Sequence, residues 1–114
     1  MSNKIKLFHI KEVSAFLKKA GFSVYQDKAN INTPYPYLVY SFVSEKHHTA
    51  SNQISIHFHS YQLSLFTTGS ASELKKLTDV LDENGLAYER FQSTQGDEND
   101  DTVTNFFTYF EVLA

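Results

Sequence analysis

His57 and His59 lie two residues apart in a stretch of strand-like alternation, so their imidazoles project from one face. His47 and His48 come shortly before them in a polar segment. Two imidazoles at i and i+2 are half of a zinc site, and a third ligand would have to come from Glu45 or a loop histidine. The competing reading is polar histidines on the wet face of a strand. With no cysteine in the chain to supply a thiolate, that reading is adopted, and no metal or cofactor is expected.

Other chemistry is weaker still. Ser60 and Ser64 stand near these histidines, but nothing around them has the strand-elbow-helix pattern of an activated serine. The run GDENDD gathers Asp97, Glu98, Asp100 and Asp101 without the alternating spacing and glycine of a calcium loop, so it reads as a solvated loop. No two of the four glycines are close enough to cradle a pyrophosphate. A net charge of -3 without a basic stripe argues against nucleic acid as a partner, because Lys18-Lys19 and Lys75-Lys76 fall on polar helix faces. The chain is therefore expected not to be an enzyme.

The elements that position these residues are organised around 60–90. Tyr61, Leu63 and Leu65 alternate with Gln62 and Ser64, the period of a half-buried strand. Ser70 with Glu73 three residues on fits a capping box, with Ser72 as a rival cap. Leu74, Leu77, Val80 and Leu81 form one helical stripe, and Asn84-Gly85 supplies the stop. Leu86 to Phe91 is expected to be the next strand. Earlier, Ile10, Val13, Phe16, Leu17 and Ala20 mark a first helix closed by Gly21, and Phe22 to Tyr25 a short strand.

Pro34 and Pro36 bias TPYPY towards extended geometry at a sheet edge. YLVYSFV, 37–43, then carries apolar residues on both parities, as does the last strand, 103–113. Ile54, Ile56 and Phe58 are even-numbered whereas Tyr61, Leu63 and Leu65 are odd, so a bulge or bend is expected near His59-Ser60. Residues 1–8 read as a flexible start, and 44–53 and 92–101 as mobile polar loops. The expectation is one α+β domain, 1–114, in the order α-β-β-β-α-β-β, with a mainly antiparallel sheet and both helices on one face.

Ten Phe and seven Tyr make up 15% of the chain with no Trp. Two helices shelter one sheet face, so strands apolar on both sides leave an aromatic surface that identical copies would bury. Strand parity nominates Tyr37, Tyr40, Phe42, Phe107 and Tyr109 for that interface. Glu45, His47, His48, Asp97, Glu98, Asp100 and Asp101 are nominated as loop residues that dock on partners. No apolar run is long enough to cross a bilayer and the start MSNKIKLF lacks a secretory core, so no membrane partner is expected and synthesis in the cytoplasm is.

PYPYLVYSF, then YQLSLFTT, then the helix ending LDENGLAYER, then TNFFTYFEV, form an ordered set that resembles the tail-completion or tail-terminator proteins of long-tailed bacteriophages and prophages. The resemblance covers about residues 34–112. It implies a structural subunit of the virion tail, made in the host bacterial cytoplasm, without catalysis or cofactor. The implied assembly is a hexameric ring at the head-proximal end of the tail tube. The implied partners are further copies of itself, the tail tube protein and the head-completion or connector protein. A small dimeric α+β regulatory or ligand-binding module is the alternative; it predicts a two-fold dimer with a pocket between helix and sheet.

Overall fold

The computed structural model describes residues 7–50, 54–98 and 101–114. Its elements are α1 (Ile10–Lys19), β1 (Val24–Gln26), β2 (Tyr37–Ala50), β3 (Ile54–Thr67), α2 (Ala71–Asn84), β4 (Gln92–Glu98) and β5 (Asp101–Leu113). The strands form one five-stranded sheet in the order β1-β2-β3-β5-β4. Only β1 runs parallel to its neighbour; the other pairings are antiparallel. The α+β class and the element order are those expected.

Both helices start and stop for local reasons. Glu12 reaches back to accept the His9 N–H at 2.8 Å, which occupies a donor that the start of α1 leaves free. At α2 the Ser70 hydroxyl accepts from the Ser72 N–H at 3.3 Å. Gly85, at φ 78°, ends α2 in the left-handed conformation. Val13 and Leu17 from α1 and Leu77 and Leu81 from α2 then pack on Leu38, Leu63, Leu65, Tyr61, Phe110 and Val112 of the sheet. Leu38, Leu63, Leu65, Leu77 and Leu81 are all 0% exposed. Each contributes roughly 1.5–3 kcal/mol of burial, so this single layer between helices and sheet holds the fold.

Four expectations are corrected. Residues 44–50 are not loop but the outer half of β2, paired with β3 from Ser44↔Ser60 to Ala50↔Ile54; 51–53 lie outside the described residues. A ribbon with water on both faces needs no hydrophobic alternation, so the polar sequence concealed a strand. For the same reason 92–98 is β4, paired with 101–107 of β5, while 99–100 lie outside the described residues. The stretch 86–91 is instead a connection, joined to β5 by one bridge, Tyr88↔Phe110, and by the Glu89 N–H to the Tyr109 carbonyl at 2.9 Å. Finally, the bulge sits on β2 between Phe42 and Ser44, opposite Tyr61 and Ser60, and β3 keeps its alternation throughout. The apolar load changes face along β3, not the strand's register.

Candidate assembly surface

Strand pairing sorts the sheet into two faces. On the helix-bearing face Tyr61 and Phe110 stack at 6.0 Å, and Tyr40 leans on Tyr61 at 6.0 Å. Phe42 meets His59 and Tyr61 edge-on at 5.1 and 5.9 Å but, lying past the helices, remains 51% exposed. The helix-free face carries a second aromatic system. Tyr35 stacks on Tyr37 at 5.5 Å, Tyr37 on Phe66 at 5.1 Å, and Tyr25 meets Tyr37 edge-on at 6.2 Å. Farther along the same face Phe107 and Tyr109 meet edge-on at 6.3 Å. Val39, Ser64 and Val103 are buried on this face, and the larger rings are half-buried.

The five residues nominated from parity are therefore split: Tyr37, Phe107 and Tyr109 share the helix-free face, whereas Tyr40 and Phe42 lie on the other. Even-numbered residues of β2 face the helices before the bulge, and neighbouring parities cannot share a surface. Asn105, opposite Phe66, has a buried carbonyl oxygen without a hydrogen-bond partner among the described residues.

The outer part of the β2-β3 hairpin gathers the histidines. Glu45 is directly across from His59, and its two carboxylate oxygens meet His59 Nε2 at 2.8 Å and His57 Nδ1 at 3.3 Å. Those contacts, His59 first, hold the Glu45 carboxyl below the usual carboxylate range. His47 adds a ring 5.5 Å from His57. His48 is on the opposite side, edge-on to Phe58 at 5.5 Å, and Lys46 on that side forms an ion pair with Glu111. Glu45 and His47 thus meet His57 and His59, and His48 does not. Among the described residues no group of three or more His, Asp or Glu is arranged to hold a metal ion. At the other hairpin Asp97 accepts from the Thr102 hydroxyl at 3.3 Å, Glu98 pairs with Asp101 along the strands, and Asp100 lies outside the described residues.

Two features escaped the sequence reading. One is a groove of about 470 Å³ beside β5, where the connection 86–91 replaces β4 as its neighbour; Leu7, Phe58, Tyr88 and Tyr109 line it. Burial and the Asp82 carboxylate, which accepts the Tyr88 hydroxyl at 2.9 Å, push the Tyr88 phenol up to about 12. The other is Ile31, 92% exposed in the loop between β1 and β2. Its only signal in the sequence is a β-branched apolar residue alone among turn formers, KANINTP.

No family model and no curated protein matches the chain. Among solved structures, a chain of the virion of a native gene transfer agent particle has a similar fold, with a TM-score of 0.50 and 13% sequence identity. The similarity covers 89% of this chain and 86% of that one. The shared fold thus includes nearly all of both chains.

Proposed function

We propose that this chain is a structural subunit of a phage-like virion. More specifically, it is a tail terminator or tail-completion subunit that forms a ring, hexameric in the simplest case, on the head-proximal end of the tail tube and joins it to the head connector. Its partners are copies of itself, the tail tube protein and the head-completion protein, and its role is non-catalytic. The observation that carries this reading is the fold similarity, over 89% of the chain, to a chain of a virion particle.

The helix-free face supports the same reading. Tyr25, Tyr35, Tyr37 and Phe66 form one aromatic group, and Phe107 with Tyr109 a second, on a side of the sheet that neither helix covers. Ring surfaces of that size contribute most when a partner desolvates them. A ring requires one heterologous contact repeated to closure. The experiment is reconstitution: purified chain is added to polymerising tail tube protein and tube lengths are measured by electron microscopy. Capped tubes of arrested length, with a ring of density at one end, are expected. Tubes that grow equally with and without the chain would refute the terminator role.

A further inference from the structure

We infer that Ile31 of one copy inserts into the groove beside β5 of the next, so that copies join head to tail; this rests on the ring reading above and specifies its repeating contact. A lone apolar side chain on a surface is ordinary. Ile31 differs in how it is presented. It sits in a turn over 30–33 in which Asn32 has φ 66°, and Thr33 donates both its N–H, at 3.2 Å, and its hydroxyl, at 2.5 Å, to the Asn30 carbonyl. Pro34 follows and restricts the chain further. The side chain is thus held 92% exposed at the tip of a fixed loop, with little ordering left to lose on docking.

The groove matches it in shape and chemistry. Leu7, Phe58, Tyr88 and Tyr109 offer apolar walls, and the ion-paired Lys46 and Glu111 also line the groove, around a volume of about 470 Å³, ample for a branched aliphatic side chain and its flanking backbone. Loop 27–36 lies at the β1 edge of the sheet, and the groove lies against β5 and the 86–91 connection and reaches Lys46 of β2, so the two features are distinct surfaces of the molecule. Along the strands, the loop that carries Ile31 leaves the sheet at the level of Tyr40 and rejoins it at Tyr37, short of the groove. The Asp27 N–H donates to the Tyr40 carbonyl and the chain resumes β2 at Tyr37, while Tyr109 to Glu111 are level, through β3, with Ser41 to Ser44. A knob on one surface and a hole on another make a heterologous contact, which closes into a ring when the rotation allows.

Charge favours the same pairing. Lys28, in the knob loop, and Glu89, at the groove, are both exposed, and neither forms an ion pair among the described residues. Their opposite charges are complementary across such a contact, and a pair of this kind adds orientation and salt dependence more than affinity.

The test uses Ile31→Asp and Ala87→Asp, both at exposed positions, with thermal melting to confirm that each variant folds like the parent. Sedimentation velocity then reads association. Each variant alone should self-associate at least about tenfold more weakly than the parent, as expected for losing one buried aliphatic contact and placing a carboxylate in an apolar groove. Mixed in equal amounts they retain one intact contact, the Ile31 of one with the groove of the other, and should give heterodimers and nothing larger. In a second pair, Lys28→Glu and Glu89→Lys should each weaken assembly and together restore it. If the parent forms a ring and Ile31→Asp forms it equally well, this contact is overturned while the ring reading stands. A two-fold dimer of the parent that mixing the variants cannot rescue overturns both.

Discussion

Tyr37 and Phe66 stack at 5.1 Å with their planes 19° apart on the helix-free side of the sheet, and Tyr61 and Phe110 repeat that arrangement on the other side, at 6.0 Å and 19°. The two pairs have different surroundings. Tyr61 and Phe110 are 7% and 3% exposed beneath the helices, whereas Tyr37 and Phe66 are half-buried with no helix above them. Phe110→Ala should therefore cost about 3–5 kcal/mol in urea unfolding, as a large core truncation does. Phe66→Ser should cost under about 2 kcal/mol, in keeping with partial burial, but should raise the concentration at which copies associate. Equal losses of monomer stability for the two variants would show that the two faces are not distinct.

Glu45 bridges His57 and His59 on the hairpin, and its carboxyl is held below the usual 4.5. A depressed folded-state value means that the contribution is present above the unfolded-state value and is lost as pH falls through the folded one. Glu45→Gln should lower the melting temperature at neutral pH, where the contribution is fully present, and so flatten the fall on the acid side of the melting temperature against pH profile below about pH 4.5. An unchanged acid limb would indicate that the bridge contributes nothing to folding.

Tyr88 works in the opposite sense. Its phenol is raised from 10.0 to about 12 by burial and by its hydrogen bond to Asp82. The associated stabilisation is complete below pH 10.0 and is lost as pH rises towards about 12. Tyr88→Phe removes one hydrogen bond, at a cost of about 0.5–1.5 kcal/mol near neutrality. It should also shallow the alkaline fall in stability, read by denaturant melts across that range.

Much of the covered half of the molecule was legible because burial imposes a period. Leu74, Leu77 and Leu81, or Leu63 and Leu65, can face the core only at helical or strand spacing, and Gly85 marks the stop by its backbone needs. The outer hairpins were not legible. Residues such as Glu45, His47 and Thr49 pair across a ribbon wet on both sides, so no apolar alternation records the strand. The aromatic residues of the proposed assembly surface were visible as a surplus on both strand parities, but which parity the helices cover was not. The bulge at Phe42 and Ser44 and the parallel docking of β1 depend on partners distant in sequence. The groove beside β5 was equally hidden, since Leu7, Phe58, Tyr88 and Tyr109 come from four separate parts of the chain.

Gly85→Ala tests the local part of the account. At φ 78° an added Cβ is strained, and the variant should lose about 1 kcal/mol in denaturant melts without any change in association. A variant as stable as the parent would mean that the α2 stop does not need the left-handed conformation.

The most direct test of the central claim is the mass of the purified chain across concentration, by sedimentation velocity and native mass spectrometry, with tail tube protein added in a second series. The account predicts a closed ring of identical subunits that forms as concentration rises and that Phe66→Ser shifts to higher concentration. A chain that remains monomeric throughout both series would contradict it.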